Sequence, residues 1–233
     1  MVIDNRSPDQ TLEVAIEYGK EFLTQSSFIA WRNESNYGLG GSHKAAFCYA
    51  IEHGFDHIVV LHGDDQADIH DLIPLLETGA HLDVDCLLGA RFMMGSKLKG
   101  YSWFRTFGNQ IYNVLFSLVV GRPIYDLGSG LNMYCLNAFR EYYFMNFPDD
   151  LTFNYVMLLA SYYHNHKVRF FPISWREEDQ VSNVKIFYQA FKVLGLLAGF
   201  ALKRSRFLES DLRKQPFEAY TGQVCYRYEK QIT

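Results

Sequence analysis

Apolar and polar positions along this chain follow two periods. Leu12, Ala15, Ile16, Gly19, Phe22 and Leu23 recur at helical spacing and predict a helix over 9–23. Val2 and Ile3 read as the end of a short strand before it, and Phe28 to Trp31 as a second strand after it. Ser42 is the expected N-cap of a helix from His43 to His53, with Gly54 as its stop. The run Ile58 to Leu61 is short, apolar and β-branched, as expected of a strand covered on both faces. Asp68 is expected to cap a helix through Leu76, kinked at Pro74 and ended by Gly79. Cys86 to Leu88 reads as a strand, and Trp103 to Val120 as a long amphipathic helix closed by Gly121 and Pro123. Leu151 to Tyr163 reads as a helix, Val168 to Ile173 as a strand and Val184 to Lys203 as a helix. This β-α-β-α order predicts an α/β domain with a mostly parallel sheet.

Composition narrows the classes. A chain of 233 residues with 48% apolar positions builds a core without disulfides or metals. A net charge of −4 excludes a general nucleic-acid binder. Cys48, Cys86, Cys135 and Cys225 are far apart, which excludes a zinc-ribbon or disulfide framework and reads as free thiols of a cytoplasmic protein. The opening MVIDNRSPDQ is charged almost at once and reads as neither signal peptide nor anchor.

Ligands of open α/β sheets bind outside the carboxyl ends of strands, so polar clusters that follow strands are the candidates. The first is VIDNRSPDQT, where Asp4 leaves a strand; turns and N-caps use the same residues. The second is HGDDQ. His62, Asp64 and Gln66 alternate, and in an extended segment they share one face. That face offers an imidazole, a carboxylate and an amide oxygen to Mg²⁺ or Mn²⁺, which in turn hold diphosphate oxygens. A polar turn capping the next helix is the other reading. The third is YDLGSGLNMY, whose glycines allow a ligand close to the backbone or simply a tight turn. The fourth is SWREEDQVSN, with Trp175, Arg176 and Ser182, and Lys185 beyond. Its arginine fork matches phosphate, while Glu177, Glu178 and Asp179 equally make a solvated charge run.

The order of these segments says more than any one of them. VIDNRSPDQT, NYGLGGSHKAAFCYAIEHG, VVLHGDDQ, GARFMMGS, FRTFGNQIYN, DLGSGLNMY and PISWREEDQVSN together resemble the family 2 glycosyltransferases of the GT-A fold, within them the dolichyl- or polyprenyl-phosphate sugar synthase branch. The resemblance runs from residue 2 to about residue 200. It implies inverting, metal-assisted transfer of a sugar from a nucleotide-diphosphate sugar to a polyprenyl-phosphate or glycan acceptor. The cofactor it implies is Mg²⁺ or Mn²⁺, on His62, Asp64 and Gln66. Asp4, Asp64, Arg91, Trp175 and Arg176 are the implied donor-binding residues. Arg105, Asn109, Ser129, Ser182 and Lys185 are the implied acceptor-binding residues. Asn132 stands where the family has an arginine for the acceptor phosphate, and His62 where many members have an aspartate. Arg176 would stabilise the departing diphosphate. A hydroxyl acceptor would need a base, for which Asp150 is the candidate; a helix N-cap is its other reading. Neither G-x-G-x-x-G nor G-x-x-x-x-G-K occurs, which disfavours other nucleotide-binding α/β classes.

Further expectations complete this reading. Residues 1–205 form the glycosyltransferase domain and 206–233 a C-terminal extension. The family's first strand, ending in a V-I-P-x-Y-N-E-like segment roughly 30 to 40 residues upstream of Val2, is missing from this sequence, so the fold is expected to be an N-terminally truncated GT-A domain. An inactive GT-A domain that binds a nucleotide sugar or serves as a partner subunit is the alternative. The stretch Ile186 to Leu202, followed by Lys203, Arg204 and Arg206, reads either as a core helix or as a helix in the membrane interface, which makes peripheral contact with the inner face of the membrane an expectation.

Overall fold

The computed structural model describes residues 1–177 and 186–230. In chain order the elements are β1 (Val2–Asp4), α1 (Thr11–Phe22), β2 (Phe28–Asn33), α2 (Gly38–Glu52), β3 (His57–Leu61) and α3 (Ile73–Glu77). They continue with β4 (Cys86–Ala90), β5 (Lys97–Lys99), α4 (Trp103–Val120), β6 (Leu131–Cys135), α5 (Phe153–Tyr163) and β7 (Val168–Pro172). The last are β8 (Ser174–Arg176), α6 (Ile186–Leu202), α7 (Arg204–Glu209) and β9 (Gly222–Tyr228).

The α/β class holds, but the sheets are mixed rather than mostly parallel. The first sheet runs β1-β2-β9, with β1 parallel and β9 antiparallel to β2. The second runs β3-β6-β4-β7; β6 is antiparallel to both its neighbours, and β4 is parallel to β7. A small parallel pair joins β5 and β8. The reversal comes from β6, which follows the glycine turn of YDLGSGLNMY. It returns between β3 and β4 and makes β3 an edge. Val59 and Leu61 of that edge strand are 39% and 44% exposed, so β3 is not covered on both faces.

Three local expectations shift. Helix α2 begins at Gly38, not at His43, and Ser42 lies inside it, accepting a hydrogen bond from the Asn33 side chain at 3.1 Å. Glycine is needed in this first turn because a side chain on Gly40 would collide with the Pro148 carbonyl. Its N–H instead donates to Asp149 O at 2.8 Å, supplying one of the partners a helix start lacks. Pro74 does not kink a helix. Asp68 caps a 3-10 turn over Ile69–Asp71, and Pro74 then occupies the first turn of the short α3, where its missing N–H costs nothing.

Helix α1 packs Leu12 with Phe28 and Ala30, while Tyr49 of α2 meets Trp31 at 5.7 Å on the other face of β2. The two sheets meet through α2: Asn33 at the end of β2 donates to Asn5 just after β1 and to Ser42 of α2, and His43 of α2 packs against His62 just after β3, so the carboxyl ends of β1, β2 and β3 converge on the start of that helix. β1 and β3 share no ladder among the described residues. The main core lies where α2 and α5 pack on the second sheet, around Phe47, Phe139, Phe144 and Val156. Each large side chain buried there stabilises by roughly 1.5–3 kcal/mol. Inside it Lys44 is fully buried. Its Nζ donates to Asp149 and Phe147 O, both at 2.6 Å, and to the Tyr220 hydroxyl at 3.1 Å. This network, and β9 against β2, tie residues 206–230 to the same body.

Candidate functional site

The HGDDQ turn follows β3. His62 N–H donates to Gly130 O at 2.8 Å, and the imidazole lies over Gly130, where an added Cβ would stand 3.2 Å from the ring. The glycine of the third cluster is thus what admits the histidine of the second. His43 of α2 packs against His62, with ring centroids 5.6 Å apart. Burial lowers both imidazoles, that of His43 to about 3, so both are neutral. His62 Nε2 is buried and has no hydrogen-bond partner among the described residues, which leaves a nitrogen able to accept or ligate. Asp65 adopts a left-handed φ of 57°, and this breaks the extended geometry that put His62, Asp64 and Gln66 on one face. Asp64 Oδ1 accepts from Gln66 N at 3.3 Å, within the turn itself.

The fourth cluster docks on this turn. Arg176 N–H donates to Gln66 O at 2.9 Å, its Nε donates to Asp65 O at 2.8 Å, and its guanidinium pairs with the Asp65 carboxylate. These residues are 111 positions apart. Trp175 is buried in the second hydrophobic cluster, its ring covered by the Arg91 guanidinium at 4.9 Å, so it forms a wall and presents no open stacking face. Arg91 itself grips Asp126 with two parallel hydrogen bonds, 2.7 and 2.8 Å. Burial acts against the charged guanidinium, and the Asp126 pair outweighs it and raises its pKa.

The remaining expected residues divide. Asp4 is buried at the end of β1. Burial pushes its carboxyl up, but hydrogen bonds from Ser7 and from Arg32 at 2.8 Å outweigh that and hold it below the ordinary range. Arg105 pairs with Glu177 and stacks on Tyr101 at 4.9 Å; Asn109 donates to the Tyr101 hydroxyl at 3.0 Å. Ser129 and Asn132 are buried, Asn132 donating to Ser129 O at 3.0 Å at the start of β6, beside the Gly130 that His62 packs on. Asp150 accepts from Thr152 N–H at 3.0 Å and pairs with Lys192 of α6. Burial opposes its ionisation, but the Lys192 and Thr152 hydrogen bonds prevail and hold it at about 2, a weak base. Ser182 and Lys185 lie outside the described residues.

Several site residues were not singled out by the sequence reading. Asn33 donates to Asn5 at 3.0 Å and to Ser42 at 3.1 Å, which links the end of β1 through the start of α2 to His43 and His62. Asp126 fixes Arg91, and a signal for it exists: it is the sole Asp or Glu from residue 86 to residue 140. Among the described residues, no three His, Cys, Asp or Glu side chains stand together as a metal cage. What is present, an unpartnered His62 nitrogen and the Asp64 carboxylate, fits a cation that takes its other ligands from a diphosphate.

Comparison with known proteins agrees with this layout. The pattern of glycosyl transferase family 2 matches residues 1–143. A relative, the undecaprenyl-phosphate mannosyltransferase of Micrococcus luteus, is 26% identical over 140 residues, covering 60% of this chain and 56% of the relative. The chain thus spans little more than half the length of the curated relative it matches. A family match over more than half the chain, which takes in β1, β3 and the HGDDQ turn and ends before Arg176, shows that the protein belongs to glycosyl transferase family 2.

Proposed function

We propose that the chain transfers a sugar from a nucleoside diphosphate sugar to a polyprenyl phosphate, with inversion at the anomeric carbon. The observation that carries this reading is the docking of Arg176 on the HGDDQ turn. It brings a cation and the Asp64 carboxylate to the carboxyl end of β3, next to that of β1. The relative's printed name supports the lipid-phosphate acceptor.

In this reading an oxygen of the acceptor phosphate attacks the anomeric carbon from the face opposite the diphosphate. The bond from that carbon to the diphosphate oxygen breaks, and its electron pair leaves with the diphosphate. No proton need move, because the acceptor is already an anion. That suits a chain whose candidate base, Asp150, is held as a weak base. Arg176 exchanges its Asp65 partner for the diphosphate and offsets the charge that develops there. Mg²⁺ or Mn²⁺, held by Asp64 with His62 and Gln66 beside it, would supply Lewis-acid stabilisation of the same oxygens.

A second reading, a domain that binds a nucleotide sugar without transferring it, is favoured by the pairing of Asp4, Arg91 and Arg105 with groups of the chain itself. The acceptor and anomer discriminate. With an α-linked donor, proton NMR of the product should show a β-linked sugar phosphate when a short prenyl phosphate is supplied, and no product with the corresponding prenol. Transfer to the prenol, or retention of the α anomer, contradicts the mechanism.

A further inference from the structure

Helix α4 is amphipathic in an unexpected sense. Phe116 and Asn113 face the core, with Tyr112, Leu115 and Val119 beside it. The opposite side is also apolar, and it is open. Trp103 is 80% exposed, Phe104 and Phe107 58%, Ile111 45%, Val114 58% and Leu118 74%. Their spacing keeps them on one stripe, and at 1.5 Å per residue the stripe from Trp103 to Leu118 is about 22 Å long. Single exposed apolar side chains are ordinary, but six in line mark a surface that meets something apolar.

The charges around the stripe identify what it meets. From residue 86 to residue 125 the chain has no Asp or Glu, and it carries Arg91, Lys97, Lys99, Arg105 and Arg122. Arg91 and Arg105 are taken up by Asp126 and Glu177. Lys97 is exposed on β5 just before the helix, and Arg122 is exposed just after it. At the same end Arg204 donates to Val119 O at 2.7 Å, which brings the exposed Lys203 and Arg206 to the helix terminus. An apolar stripe with cations at both ends complements an anionic, apolar-cored surface. It does not complement a protein patch of mixed charge.

We propose that α4 lies in the surface of a bilayer containing anionic phospholipid, with Trp103, Phe107, Val114 and Leu118 in the acyl boundary and the flanking Lys and Arg on the headgroups. No helix among the described residues is long and apolar enough to cross a membrane, so the contact is in the plane of the interface. The sequence points instead to α6. That helix turns Val193, Leu197 and Phe200 into the core, which commits it to packing, although Phe191 and Leu202 remain outside. The inference deepens the proposed function, since Arg105 and Asn109 stand on α4 as well. Its evidence, however, is independent of sugar transfer.

The test is co-sedimentation of the purified chain with vesicles of phosphatidylcholine alone or with phosphatidylserine, while Trp103 fluorescence is followed. The proposal predicts binding to the anionic vesicles, a blue shift that is lost in Trp103→Phe, and a fall of about fivefold in partitioning for each of Lys97→Gln and Arg122→Gln. Phe107→Ser/Leu118→Ser should lower partitioning at least tenfold at unchanged Tm, because both residues are exposed. Wild-type protein that stays in the supernatant overturns the proposal, as does equal binding by the double variant. A dimer seen by sedimentation equilibrium and abolished by the double variant also overturns it, and assigns the face to a second copy. Failure of the transfer reading shows in nucleoside diphosphate binding, which none of these variants touches.

Discussion

Arg91 follows β4 and Arg176 ends β8, and the family resemblance implies a donor-binding role for both. Arg91 is 11% exposed, doubly bonded to Asp126 and enclosed by Phe92, Tyr101 and Trp175. Arg176 is 58% exposed and held by the backbone and carboxylate of one tight turn. The same side chain is thus a strut in one place and an available donor in the other. What separates them is whether removing the present partner leaves a charge in water or a charge in the core.

That difference sets the size of the effects. Asp126→Ala strands the Arg91 guanidinium in a buried site, so it should destabilise by about 3–5 kcal/mol, read as a large drop in Tm or in the urea midpoint. A drop under about 1 kcal/mol would mean that Arg91 reaches water, and would erase the comparison. Next, Mn²⁺ with a nucleoside diphosphate at a hundredfold excess over Kd should stabilise the wild type by about 2.7 kcal/mol, and Asp64→Ala should abolish that shift. An equal shift in the variant removes Asp64 from the site.

Arg176→Ala should leave Tm within experimental error, because its pair is exposed, and weaken diphosphate binding by about 2 kcal/mol in calorimetry. Arg176→Lys should restore only part, having lost the fork. A loss of stability with binding intact would make Arg176 a second strut. The smallest effect is at Asp150. Its folded pKa, about 2, lies below the unfolded carboxyl value. The pair with Lys192 therefore stabilises above about pH 4 and is lost as pH falls toward 2. Asp150→Asn should cost about 1 kcal/mol at pH 7 and a small fraction of that near pH 2, where the carboxyl is half protonated, in paired denaturation curves. The same cost at both pH values would assign the effect to packing.

The periodic elements were legible. α1, α4, α5 and β7 repeat an apolar pattern along the chain, and the glycine stop at Gly121 carries its own signal, a φ of 77°. Where tertiary packing overrides a local rule, the reading failed. The glycines at the start of α2 look like helix breakers, yet they are what lets that turn press against Pro148 and Asp149. β6 carries Asn132 in mid-strand and follows a glycine turn, so it lacks the clean β pattern, and with it went the mixed order of the second sheet. The clusters of the site were found because polar residues after strands are a local signature. Their partners were not. Asp126 for Arg91 and Asp65 for Arg176 are 35 and 111 positions away, and no period along a chain encodes such a contact.

The central claim is transfer to a lipid phosphate at the HGDDQ turn, and one measurement addresses it directly. The chain is incubated with labelled nucleoside diphosphate sugars, Mn²⁺ and a short polyprenyl phosphate, and label is counted in the lipid extract. The account predicts label in the lipid with at least one donor, abolished by Asp64→Ala and reduced at least about tenfold by Arg176→Ala. Protein that binds the nucleoside diphosphate but moves no label from any donor, or an Asp64→Ala variant that transfers like the wild type, would contradict it.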